Sequence, residues 1–305
     1  MTGSGLRRVV VAGGTGLVGR PLVQALLDQG AQVTVLTRNP ARAGLPTGAH
    51  AQDWENLSAL LDGADAVINL AGEGIAEKRW SAARKAAIRD SRILATLRLV
   101  EAMKDCQRPP KTLVNASAIG YYGAQGQALV NEDTAPGTGF LADVCRAWEA
   151  EAMAASDIGV RVARIRIGVV LARDGGALPK MALPVRLYLG CKLGSGQQGL
   201  SWIHLNDLIA MFLQAAGNPA WMGPFNGTAP EPLSNEAFTD LLARRLHRPL
   251  FPVPGALTAA ATKVMLGEMA TSLLLQGAFV TPTHAQALGF GYQFPTAASA
   301  LEDLI

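Results

Sequence analysis

The sequence predicts an α/β protein: a doubly wound parallel sheet with a smaller, mainly helical C-terminal lobe. Two observations carry this. A β-branched run, Val9 to Ala12, leads through glycines into leucines at helical spacing, and apolar strands then alternate with helical stretches as far as residue 170. Such alternation argues for a parallel sheet covered on both faces. The 305 residues suffice for one large α/β domain or two smaller ones, and a hydrophobic content of 49% excludes a disordered chain.

Val9 to Ala12 is too short for a helix and suits a buried parallel strand. Leu17, Leu22, Leu26 and Leu27 then repeat at helical spacing up to Gly30, a C-terminal stop, and Gln32 to Leu36 follows as a second strand. A third strand is expected before Asp53-Trp54. Ala66 to Leu70, Thr112 to Ala116 and Val160 to Val170 read as strands, and Trp80 to Lys104 and Leu141 to Ala155 as helices. Gly/Pro-rich pieces at Asp174 to Pro179, Gly190 to Gly199 and Gly223 to Pro232 read as loops. Beyond Pro230 the pattern is mainly helical, with a break at Pro249 to Pro254. The expected division is a nucleotide-binding domain over residues 1–170, rejoined by 200–229, and a substrate-side lobe from 171–199 and 230–305.

Composition narrows the function. A net charge of +3 is too weak to point to nucleic acid or a membrane surface. Cys106, Cys145 and Cys191 form no C-x-x-C pair and no zinc spacing, which fits a reducing, cytoplasmic setting without disulfides. The four histidines are scattered, which argues against a metal site. Leu257 to Val280 is apolar but holds Lys263 and Glu268, so it reads as a buried helix pair, not a membrane span. Arg7-Arg8 before Val9-Val10-Val11 looks superficially like the start of a signal peptide, but the glycines from Gly13 cut the apolar run too early.

The strongest chemical signal is Gly13-Gly14-Thr15-Gly16-Leu17-Val18-Gly19, a G-x-x-G-x-x-G between a strand and a helix. Glycines there let the backbone turn tightly and approach a pyrophosphate, and the helix N-terminus offers free N–H groups. Gly13, Thr15, Gly16, Leu17, Val18 and Gly19 are therefore cofactor-binding candidates. NAD binders usually place an acid at the end of the second strand for the ribose hydroxyls. Here the residues are Thr37-Arg38-Asn39. Arg38 can pair with a 2′-phosphate and Thr37 can hydrogen-bond it, so the expected cofactor is NADP(H).

This spacing, with Asn69-Leu70-Ala71-Gly72 after the fourth strand, resembles the extended short-chain dehydrogenase/reductase superfamily, also known as the NAD-dependent epimerase/dehydratase superfamily. Glu73, Arg79-Trp80, Ser91-Arg92, Gly120-Tyr121-Tyr122-Gly123, Trp148-Glu149 and Ser201-Trp202-Ile203-His204 resemble its atypical epimerase-like branch. Leu266-Gly267-Glu268-Met269 and Gly289-Phe290 are similar to the short domain that ends such proteins. The resemblance implies a Rossmann-type fold, with Leu70, Ala71 and Gly72 lining the adenosine side. It also implies Arg92 as a cofactor contact and, more weakly, Asp53-Trp54 beside the adenine and Glu73 on the ribose or substrate side.

The superfamily's machinery is a Ser and a Tyr-x-x-x-Lys pair, with Tyr as the general acid/base. Ser117 stands at the Ser position, but the Tyr and Lys positions read Leu141 and Cys145. Tyr121 and Tyr122 are the nearest phenols, so Ser117, Tyr121 and Tyr122 are the catalytic candidates. Lys85, Arg89 and Arg92 share a helix face. Lys180 and Met181 suit a substrate-pocket wall, His204 suits a structural or titrating role, and Trp148 and Glu149 suit helix packing and capping. Two readings stay open. One is an NADP(H)-dependent oxidoreductase or epimerase-like enzyme acting on a small polar or sugar-nucleotide-like molecule. The other is a non-catalytic NADP(H)-binding redox sensor or partner-binding protein. Neither expects nucleic acid, membrane or metal as a partner, and both are compatible with a homo-oligomer.

Overall fold

Val9, Val10 and Val11 all bury their side chains, as a strand covered on both faces requires. The computed structural model describes residues 5–305, so residues 1–4 of the expected first domain lie outside the described residues. Seven strands form the main sheet: β1 (Arg8–Ala12), β2 (Gln32–Leu36), β3 (His50–Gln52), β4 (Ala66–Asn69), β5 (Thr112–Ala118), β6 (Arg161–Ile167) and β7 (Gly223–Gly227). Their order is 3-2-1-4-5-6-7, and every neighbouring pair is parallel. The order reverses between β1 and β4, and in open sheets of this kind ligands bind at the carboxyl ends beside that reversal.

Alternation along each strand divides the core in two. Val9 and Val11 of β1, Val33 and Val35 of β2, Ile68 and Ile165 pack under α1 (Gly19–Asp28) and the helix Leu205–Gly217. Val10, Leu36, Val67, Leu113 and Val162 face the other way, under α2 (Leu57–Leu61), α3 (Ala82–Lys104) and α4 (Phe140–Met153). Ser81 caps α3 by accepting from the Arg84 N–H at 3.2 Å, so the helix begins two residues later than the apolar pattern suggests.

The strand expected over 160–170 is broken at Gly168. A Cβ there would lie 2.7 Å from the Ser201 carbonyl oxygen, so the backbones meet where only glycine fits. Val169–Ala172 leaves the main sheet and pairs with Trp202–His204 and Gly175–Gly176 in a separate three-stranded sheet. A second core gathers around Leu171, Leu178, Trp202, Phe238, Leu242 and Leu301, bringing the helices Leu178–Arg186 and Asn235–Arg245 together with the C-terminal helix Ala297–Leu304.

The apolar stretch from Leu257 to Val280 corrects the expected buried helix pair. Its main helix, Gly255–Leu266, buries Thr258 alone, and Val264 and Met265 are 76% and 72% exposed. A short helix, Glu268–Ala270, and a π-turn, Thr271–Leu275, follow it. Hydropathy fixed the composition of this segment but not whether anything lies against it.

Candidate functional site

The site is built where β1, β4, β5 and β6 end. Gly13 has φ +78°, and a Cβ on it would lie 2.6 Å from the Leu70 carbonyl oxygen at the end of β4. A Cβ on Gly19 would lie 2.3 Å from the Gly13 carbonyl oxygen, so α1 starts pressed against the turn. Gly16 differs. It is exposed, and a Cβ on it meets only the Gly13 oxygen at 3.5 Å. The protein's own packing does not require glycine there, whereas a closely approaching ligand would. No side chain caps α1; its Arg20 N–H already donates to the Gly16 carbonyl at 3.0 Å and Pro21 carries no N–H, so an anion would rely on the N–H groups of the glycine loop that leads into the helix. Thr15 is half-buried, Val18 packs on the core, and Leu17 lies under the Gly175–Gly176 hairpin. A cavity of about 660 Å³ adjoins this loop, lined among others by Thr15, Gly16, Leu17, Arg173 and Asn206.

At the end of β2, the Thr37 N–H donates to the Gln52 carbonyl at 2.9 Å, and the Arg38 side chain is 89% exposed. Leu70 donates to the Ala12 carbonyl at 2.8 Å, and the Ala71 N–H donates to Asn69 Oδ1 at 3.1 Å. The adenosine-side candidates thus sit on backbone tied to the end of β1 and to Asn69, the last residue of β4. Asp53 is occupied in a local turn, accepting from the Glu55 N–H at 3.0 Å. Trp54 is covered by Arg98, whose Cζ lies 5.4 Å from its ring centre.

The basic stripe on α3 divides three ways. Lys85 reaches Glu268 at 2.8 Å and Arg89 reaches Asp90 at 2.8 Å. Arg92 turns inward. It donates to the Ile88 carbonyl at 2.9 Å, and its Cζ lies 5.3 Å from the Trp148 ring centre and within 2.9 Å of where a Gly72 Cβ would stand. Burial lowers its pKa. Cys145, at the expected Lys position, is buried with its Sγ 3.6 Å from the Ala118 carbonyl oxygen. Burial pushes its thiol up to about 11, so it is uncharged at neutral pH, and the Arg92 charge acts on it.

Ser117 Oγ donates to Glu149 Oε1 at 2.7 Å. Glu149 is held bidentately by Arg166, at 2.8 and 3.0 Å, and by Arg164 at 3.1 Å. Arg166 Nη1 donates onward to the Tyr122 hydroxyl at 2.9 Å, and that hydroxyl donates to Asn226 Oδ1 at 2.7 Å. Tyr122 is fully buried, and its phenol is pushed up to about 12 by burial. Tyr121 is half-buried, with Arg166 Cζ 3.5 Å from its ring centre, and its hydroxyl makes no hydrogen bond to another described residue.

Glu149 is therefore the hub of a buried ion cluster, not a capping residue. Its partners Arg164 and Arg166 escaped the sequence reading, although arginines inside an otherwise apolar strand carried a signal: a buried charge needs a partner. His204 lies apart from this cluster. Its Nδ1 accepts from the Asn206 N–H at 3.1 Å, capping the helix Leu205–Gly217, and its ring stacks on Phe294. Lys180 is exposed and Met181 packs against the second core. Among the described residues no His, Cys, Asp and Glu cluster could hold a metal ion, and no helix is long and apolar enough to cross a membrane.

Sheet order, glycine turn and strand-end site define a Rossmann-type protein of the doubly wound class. Residues 9–226 match the NAD dependent epimerase/dehydratase family, and the chain belongs to that family. Residues 257–304 match a domain of unknown function, DUF1731. The chain is 39% identical to the chloroplastic epimerase family protein SDR39U1 homolog of Arabidopsis thaliana, over 97% of this chain and 86% of that one. It is 38% identical to an epimerase family protein of Staphylococcus saprophyticus, over 98% of this chain and all of that one. Among solved structures, human epimerase family protein SDR39U1 with NADPH superposes with a TM-score of 0.87 at 33% identity, covering 97% of this chain and 98% of that one.

Proposed function

We propose that the chain is a cytoplasmic NADP(H)-binding oxidoreductase of the epimerase family. It acts on a small polar or sugar-nucleotide-like substrate without the usual Tyr-x-x-x-Lys pair. The observation that carries the cofactor is the pairing of an open Gly16 face with an exposed Arg38 at the end of β2, where Thr37-Arg38-Asn39 itself includes no acid. The NADPH in the human relative supports the same choice. The loop from Gly13 to Gly19 would hold the pyrophosphate, Thr37 and Arg38 the 2′-phosphate, and Leu70, Ala71 and Gly72 the adenosine side. A bound nicotinamide would supply the hydride chemistry.

The chain's own groups set the rest. Ser117 has committed its proton to Glu149, so it offers a ligand an oxygen lone pair and not a donor. Tyr121 keeps a hydroxyl unengaged within the protein and is the phenol proposed for acid/base work, whereas Tyr122 spends both of its hydrogen-bonding roles internally. Arg92 brings a positive charge to the neighbourhood of Cys145, where the superfamily has its Lys. A second reading, NADP(H) binding without turnover, is favoured by one observation: Ser117 is only 2% exposed.

Titration of the purified protein with NADPH and NADH tests the cofactor. NADPH should bind more tightly, and Arg38→Ala should weaken NADPH at least tenfold while changing NADH little, in keeping with loss of a charge-assisted phosphate contact of about 1.5–3 kcal/mol. Equal losses for both cofactors would sink the 2′-phosphate assignment. The NADPH complex is then followed by absorbance against a panel of carbonyl and sugar-nucleotide compounds. Once a substrate is found, Tyr121→Phe should lower turnover about 100-fold or more. Unchanged turnover in both Tyr121→Phe and Ser117→Ala would move the chemistry elsewhere.

A further inference from the structure

Glu73 stands at the mouth of the groove assigned to the dinucleotide, and it bridges two arginines. One carboxylate oxygen lies 3.5 Å from Arg38 Nη1 and the other 3.1 Å from Arg84 Nη1. The two arginines are unlike. The Arg38 side chain is 89% exposed and that of Arg84 14%. Arg84 also donates to the Gly74 carbonyl and lies 3.6 Å from Glu77. The Glu73 N–H donates to Ser91 Oγ at 3.0 Å, which pins this loop to α3. Glu73 is thus anchored on the Arg84 side and reaches across, from the loop after β4 to the residue that ends β2. Hydrogen bonding to Arg84, with the charge of Arg38 added, holds its carboxyl below the usual range, so it is ionised at neutral pH.

We propose that Glu73 tunes the cofactor preference: it competes with a 2′-phosphate for Arg38, and Arg84 limits that competition by keeping the Glu73 charge compensated when Arg38 turns to the phosphate. The proposal rests on the reading of Arg38 as the 2′-phosphate contact. A phosphomonoester carries close to two negative charges at neutral pH and a ribose hydroxyl none. A fixed carboxylate beside Arg38 therefore acts on NADPH and leaves NADH almost untouched. The exposed Arg38–Glu73 pair is of the weak kind that yields to a better partner. The Arg84–Glu73 pair is more enclosed and stays closed.

The test is titration of wild type, Glu73→Gln, Arg84→Gln and the double variant with NADPH and NADH, at low and at high salt, with circular dichroism confirming the fold. Glu73→Gln should tighten NADPH about fivefold at low salt, less at high salt, and change NADH by under roughly twofold. Arg84→Gln should weaken NADPH severalfold, because Glu73 then has Arg38 as its only strong partner, and the double variant should regain the lost affinity. Equal changes for both cofactors, or weaker NADPH binding by Glu73→Gln, overturn the proposal; the latter would mean that Glu73 holds the cofactor itself. If Arg84→Gln does not fold, the Glu73→Gln arm still decides. A wild type without preference for NADPH overturns the Arg38 reading and this proposal with it. A preference that ignores Glu73→Gln overturns this proposal alone.

Discussion

Tyr122 uses both hydrogen-bonding roles of its phenol inside the protein, accepting from Arg166 and donating to Asn226. Its ionisation is set by that enclosure. The phenol titrates near 10 when free and is pushed up to about 12 here by burial, against the pull of Arg166. The unfolded chain therefore releases this proton first as pH rises. The stabilisation is fully present below pH 10 and is lost as pH climbs through about 12, a change of about 3 kcal/mol. Tyr122→Phe should remove this alkaline component, and near neutrality it should cost about 1–2 kcal/mol because Arg166 and Asn226 lose a partner. Denaturant melts of both proteins across pH 8–12 check it, and parallel curves would refute the assignment.

Among the elements, β6 and the helix Gly255–Leu266 mislead a reader of the sequence in opposite ways. In β6, Ala163 and Ile165 join the core under α1, while Arg164 and Arg166 on the other face meet Glu149 of α4. Arg166 is buried outright, and Arg164 is half-buried beside it. The helix Gly255–Leu266 is apolar and largely uncovered. Substitution on its open face should therefore be tolerated: Val264→Lys should change stability by no more than about 0.5 kcal/mol. A chemical denaturation curve tests this, and a loss of 2 kcal/mol or more would show that something covers the helix in solution. Gly168 is a third element-scale feature, since a side chain there would strike the Ser201 carbonyl and the link between the two sheets.

At the scale of the whole molecule, Glu149 ties together segments that lie far apart in the sequence. It joins α4 to β5 through Ser117 and to β6 through Arg164 and Arg166, and Arg166 carries the connection to Tyr122 and so to β7. Glu149→Gln would leave the buried Arg166 and the half-buried Arg164 without a countercharge, which is expected to cost about 3–5 kcal/mol. Thermal and denaturant melts measure it. A loss below 1 kcal/mol would mean that water reaches the cluster.

The glycine turn, the strand-helix alternation and the Thr37-Arg38 ending of β2 were legible because each is local. Backbone sterics and helix periodicity act over a few residues, so neighbours in sequence carry the whole signal. The vacated Tyr and Lys positions at Leu141 and Cys145 were legible only through the family resemblance. The hydrogen bond from Ser117 to Glu149 spans 32 residues and the Arg166 pair 17. The Glu73 bridge to Arg38 spans 35. No local rule chooses such partners. Sequence alone thus determined a doubly wound sheet with a dinucleotide turn. Tertiary structure decided which hydroxyls are already engaged, which charges are paired and which apolar helix is uncovered. Burial and long-range pairing depend on what the sheet order brings to one place, and that is a property of the packed chain.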